Sequence, residues 1–122
     1  MKDSNELLSE LISKNGKLIF FKNNIKIFEK GTQPTYVFLL NEGSLFFLKS
    51  RKLLKGKKIL GIKELILDLP YNDTAITNSE SDLYIINKAT FLNSLYSNAL
   101  LRGSLVKYLF TTDKNKIRIA FE

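Results

Sequence analysis

Two short clusters hold the residue types that could grip a charged small molecule. One is Gly61-Ile62-Lys63-Glu64; the other is Tyr71-Asn72-Asp73-Thr74. Between them, Ile62 to Leu67 reads as a helix of one to two turns, started by Gly61 and closed by the turn around Pro70 and Asn72-Asp73. A short helix exposes its first backbone amides, and such amides attract anions. Upstream and running into the first cluster lie Lys49, Arg51, Lys52, Lys55, Lys57, Lys58 and Lys63, with no acidic residue among them. Such a run raises the local concentration of anions, phosphates included. It also fits a solvated hairpin. The chemistry on offer is therefore anion or phosphate binding by Gly61–Lys63, helped by lysine.

Composition narrows the rest. The chain has 122 residues with no histidine and no cysteine, which removes the commonest general base, the commonest metal ligand, disulfides and thiolate sites. The expectation is a protein that is not an enzyme, with no metal and no resident cofactor beyond an unidentified nucleotide or phosphate-type ligand. Glu64, Asp68 and Asp73 are the only carboxylates near the clusters, and in loops such residues usually serve as caps and turn formers. Hydrophobic residues make up 44%, enough for one globular domain with one core. No apolar run approaches the roughly 18 residues of a membrane span, and the acidic, amphipathic start is unlike a signal peptide. The expected location is the cytoplasm, with no membrane partner. The net charge of +7 is uneven: residues 1–63 carry 13 basic and 5 acidic side chains, residues 64–122 carry 6 and 7.

The elements that must position the two clusters follow from periodicity. Leu7, Leu8, Leu11 and Ile12 recur at helical spacing, predicting a helix over about 4–14 with Asp3 or Ser4 as N-cap and Gly16 as its end. Lys17–Lys22 and Ile25–Glu29 are β-prone runs around Asn23-Asn24, a hairpin-turn signal. Tyr36–Leu40 and Ser44–Lys49 flank Asn41-Glu42-Gly43, a second hairpin signal. Tyr36, Phe38, Leu40, Leu45 and Phe47 are core candidates, and Leu53 and Leu54 anchor the basic segment. Asp82–Ile86 is the last strand of a β-roll over about 17–87. Helices over about 88–111 follow, carrying Phe91, Leu92, Leu95, Leu101, Leu105 and Leu109, with Asn98 as the break. Ile117, Ile119 and Phe121 alternate in the tail as a strand or an adhesive extension. The pattern predicts a mainly β chain: a small roll of jelly-roll type with helices packed at its ends.

Five segments, in order, resemble the cyclic-nucleotide-binding domain family, the sensor half of catabolite-activator-type regulators. They are NIKIFEKG (24–31), YVFLLNEG (36–43), GKKILGIKELIL (56–67), PYNDTAIT (70–77) and LYIINKATF (83–91), within a match over roughly residues 6–110. The third and fourth resemble the start and end of the family's phosphate-binding cassette. The resemblance implies a regulatory module, with Gly61, Ile62, Lys63, Glu64, Tyr71, Asn72, Asp73 and Thr74 at its pocket. Two departures matter. The family's glutamate, which accepts from the ribose 2′-hydroxyl, corresponds to Ile62; Glu64, about 200° further round a helix, is not expected to reach the same place. The family's arginine, which clamps the cyclic phosphate, corresponds to Tyr71. Losing that clamp removes about 1.5–3 kcal/mol, and with the ribose contact about two or more decades of affinity. Cyclic AMP and cyclic GMP are therefore expected to bind poorly. The family's regulators continue into a helix-turn-helix module, for which the 122 residues leave no room, so a freestanding sensor or a separate effector protein is expected. The family also implies a homodimer through the last helix, where Leu101, Leu105, Tyr108 and Leu109 would pair or instead pack on the roll. The alternative function is a basic interaction protein that binds nucleic acid or another polyanion through the 49–63 hairpin.

Overall fold

The computed structural model describes residues 2–112, with side chains as far as Phe110. The tail positions Ile117, Ile119 and Phe121 lie outside the described residues. Helix α1 (Ser4–Asn15) opens the chain, with the Asp3 carboxylate accepting from the Glu6 amide at its N-cap. Eight strands follow: β1 (Lys17–Phe21), β2 (Lys26–Phe28), β3 (Tyr36–Glu42), β4 (Ser44–Phe47), β5 (Lys52–Lys55), β6 (Lys58–Leu60), β7 (Ala75–Thr77) and β8 (Ser81–Asn87). Helix α2 (Ile62–Leu67) stands between β6 and β7, and α3 (Lys88–Tyr96) and α4 (Ala99–Thr112) close the described chain.

The strands form two antiparallel sheets, ordered β1-β8-β3-β6 and β2-β7-β4-β5. The pairs β1·β8, β2·β7, β3·β6 and β4·β5 are those of one long hairpin folded at the β4–β5 turn and rolled up, and β3·β8 and β4·β7 complete the two sheets. The architecture is the expected β-roll with flanking helices. Two of the expected hairpins are not hairpins. The chain crosses between sheets at Asn23-Asn24 and again at Asn41–Gly43, because β1 and β2, and β3 and β4, lie in different sheets. Asn24 has φ +66° as its turn requires, but buried Thr77 holds this corner: its hydroxyl accepts from the Ile25 amide and donates to the Lys22 carbonyl. At the second corner Gly43 has φ +106°, and a Cβ there would stand 2.6 Å from Ser81 Cα. No other residue fits.

Strand β3 shows why the core is deep for so short a chain. Val37 and Leu39 point toward the helices, while Phe38 and Leu40 point between the sheets, and all four are buried. The helix-side core joins Leu8, Leu11 and Ile12 of α1 to Ile62 and Leu65 of α2 and to Phe91 and Leu95 of α3. Leu101, Leu105, Tyr108 and Leu109 of α4 pack onto it. Asn98 separates α3 from α4 and accepts from the Leu100 amide. Some core candidates lie outside. Tyr36 is 46% exposed and Leu53 also 46%, both facing solvent where each strand's alternation turns them out; Leu54 is the anchor of β5. No helix among the described residues is long and apolar enough to cross a membrane.

Candidate functional site

The two clusters singled out by sequence meet at one cleft of about 480 Å³. Gly61 and Glu64 form one side, the Tyr71-Asn72-Asp73 turn forms the floor, and Lys49, Ser50 and Lys52 of the β4–β5 hairpin form the other side. Gly61 takes φ +93° at the entry to α2, and a Cβ there would lie 3.2 Å from the Tyr36 carbonyl oxygen. The backbone thus turns in a conformation that favours glycine, close against β3.

Tyr71 points its ring inward. It is buried and stacks on Phe28 with ring centroids 4.2 Å apart. Its hydroxyl donates to the Tyr36 carbonyl at 3.5 Å and stands 3.6 Å from where a Cβ on Gly61 would be. Its backbone is held on both sides, the amide donating to Thr32 and the carbonyl accepting from Gly31. Burial, and then the charge of Glu64, push the phenol up to about 12, so it stays neutral at physiological pH. The register of β2 shifts between Lys26 and Phe28, and this brings both Ile27 and Phe28 onto the inter-sheet core. Phe47 stands 6.2 Å from Phe28, completing an aromatic wall.

Asp73 serves the scaffold. Its Oδ1 accepts from the amides of Lys49 at 2.7 Å and Thr74 at 2.8 Å, and its Oδ2 accepts from Ser50 at 3.0 Å. Burial pushes the carboxyl up, but these amides outweigh it and hold the group below the ordinary carboxylate range. One carboxylate thereby ties the floor of the cleft to the β4–β5 turn. Thr74 faces the other way, its hydroxyl accepting from the Lys30 amide.

Helix α2 presents a different residue from the one expected. Ile62 is 1% exposed and belongs to the helix-side core, whereas Glu64 lines the cleft beside Gly61 and Tyr71. The two side chains diverge as the helical angle requires, but the acceptor is on the pocket side and the apolar residue is not. Lys63 is not among the lining residues. The basic run is also divided. Lys49 and Lys52 flank the cleft, with Arg51 at φ +60° in the turn between them. Lys55 ends β5, and the chain then changes sheets, so 49–63 is not one hairpin. Lys57 lines a groove with Glu6 and Glu10, and Lys58 lines another with Asp3. Phe47, a core candidate by sequence, is half-buried and lines the cleft with Phe28 and Leu60, which the sequence does not mark as pocket residues; nothing in their spacing tells a pocket wall from a core. Among the described residues no group of His, Cys, Asp and Glu could hold a metal ion.

The fold as a whole has clear counterparts among solved structures. The chain is similar to the sensor domain of the transcriptional regulator DNR from Pseudomonas aeruginosa (TM-score 0.69, 19% identity, 88% of this chain and 81% of that one). It is similar to the catabolite activator protein of Thermus thermophilus (TM-score 0.70, 12% identity, 97% of this chain), spanning 58% of that protein's length. It is also similar to a structure described as part of a cyclic-GMP-dependent signalling pathway that regulates bacterial phytopathogenesis (TM-score 0.76, 15% identity, 86% and 89% of the two chains). The fold is therefore that of the cyclic-nucleotide-binding sensor domains of catabolite-activator-type regulators, as the five sequence segments imply. No protein-family model matches the sequence, and no curated protein matches it either.

Proposed function

We propose that this chain is a non-catalytic regulatory sensor module that does not bind cyclic AMP or cyclic GMP in the usual way. The observation that carries the reading is Tyr71. A stacked, neutral phenol stands beside Gly61, and the sequence resemblance pairs this residue with the family's arginine. A cyclic phosphate brought there meets an aromatic ring in place of a bidentate cation, losing about 1.5–3 kcal/mol of charge-assisted bonding before any steric cost. Glu64 retains an acceptor at the cleft, so the phosphate grip is the element most completely replaced.

We infer that such a module passes its signal on through contact with another polypeptide or a second copy of itself. Helix α4 leaves apolar surface for such a contact: Leu100, Val106 and Phe110 are each more than half exposed, while Leu101, Leu105, Tyr108 and Leu109 pack on the core. Titration calorimetry with cyclic AMP and cyclic GMP tests the ligand reading. The expected result is no saturable heat at micromolar concentrations, and micromolar binding of either nucleotide would overturn it.

A further inference from the structure

We infer that the cleft between the β4–β5 hairpin and α2 takes a flat aromatic carboxylate in place of a cyclic nucleotide. This rests on the sensor reading above. Tyr71 closes the inner end, so a ligand must sit in the remaining space of about 480 Å³, within the range of small-molecule sites. That space is walled by rings. Phe28 and Tyr71 stack, and Phe47 is tilted at 52° to Phe28. Such a wall favours a flat ring laid against it, edge-on or offset.

Charge selects the rest of the ligand. Phe47 and Lys52 are cross-strand partners, and partners across an antiparallel pair share a face, so the Lys52 ammonium stands on the side of the Phe47 ring. Lys49 lies on the adjoining turn. The ion pairs among the described residues are Lys2–Glu10 and Lys26–Glu29, and neither involves Lys49 or Lys52. Glu64 belongs to α2, whereas the Asp73 carboxylate is held on the lysine side by the Lys49 and Ser50 amides, so two cations and two carboxylates line the cleft and it is near neutral. Inorganic phosphate or a phosphate monoester, carrying up to two charges, would gain from the lysines but be opposed by Glu64 and by the charge of Asp73 beneath them. A single carboxylate is satisfied by the lysine side, and repulsion from Glu64 orients it there with the ring toward Phe28 and Phe47.

The chain has no tryptophan, so an indole ligand can be followed by its own fluorescence. The experiment is anisotropy of indole-3-acetate titrated with the full chain, with neutral indole, inorganic phosphate and cyclic AMP as comparators. Saturable binding of indole-3-acetate is expected, at least roughly tenfold tighter than indole, and weakened roughly tenfold by Lys52→Ala. Lys52 is exposed, so this variant keeps its fold; Phe47→Ala, checked by circular dichroism, should also weaken binding. The inference is overturned if indole-3-acetate does not bind, if indole binds equally well, if Lys52→Ala leaves the affinity unchanged, or if phosphate displaces the indole at lower concentration. Micromolar cyclic AMP binding would instead defeat the sensor reading beneath it, whereas silence from both ligands would remove only the aromatic-carboxylate assignment.

Discussion

Replacing Asp73 with asparagine should loosen the site more than any other single-atom change. The carboxylate accepts three backbone amides, from Lys49, Ser50 and Thr74, at 2.7–3.0 Å. Hydrogen bonds to a charged acceptor contribute about 1.5–3 kcal/mol each, which sets an upper bound near 4.5–9 kcal/mol for all three. The bound is not reached, because the amides of exposed Lys49 and Ser50 recover water when released. An asparagine side chain would keep one acceptor oxygen but turn an NH₂ toward an amide donor. The expected loss is about 2–3 kcal/mol, roughly a 6–15 °C fall in Tm for a chain of this size. The pH dependence carries the sign of the mechanism. The native carboxyl is held below its ordinary value, so its contribution is complete above the ordinary carboxylate pKa and is lost as pH falls through the lower, native one. Urea melts of wild type and Asp73→Asn at pH 7 and at a series of acid pH values measure this directly. The gap between the two proteins should be full at pH 7 and close progressively at acid pH. Equal midpoints at pH 7, or a gap that does not change with pH, would refute the assignment of Asp73 as the tie between floor and hairpin.

Other changes probe the same site. Tyr71→Ala should cost about 3–5 kcal/mol in urea denaturation, since it deletes a buried ring stacked on Phe28, while Tyr71→Phe should cost about 1 kcal/mol because the bond to Tyr36 is long. Gly61→Ala forces a side chain into φ +93° against the Tyr36 carbonyl, and thermal melts should show a loss of about 2 kcal/mol. Tyr71 and Tyr108 are both raised to about 12, by burial first and then by Glu64, so a spectrophotometric titration should show two late tyrosines. Because the unfolded phenol ionises near 10, their contribution to stability is whole below that pH and disappears as the pH climbs to about 12. A gel shift with duplex DNA at low salt should show no retarded band, since Lys57 and Lys58 stand in grooves with Glu6, Glu10 and Asp3, away from Lys49 and Lys52.

Local chemistry written in the chain accounts for much of the architecture. The helical spacing of Leu8, Leu11 and Ile12, the cap at Asp3, the glycine before Ile62 and the break at Asn98 act within a few residues, and each appears where its pattern places it. The order of these signals also sufficed to indicate the roll. What adjacent residues could not convey was which strands pair. Asn24 and Gly43 do turn the chain, but in a rolled hairpin the partners of β1 and β3 come from further along, β8 and β6, and pairing over such separations leaves no local mark. The same limit hid the site. Whether Ile62 or Glu64 faces the cleft depends on which side of α2 meets the core, and whether Phe47 is core or wall depends on what covers it. Only the meeting of α2, the Tyr71 turn and the β4–β5 hairpin decides that, because burial is a property of neighbours distant in sequence.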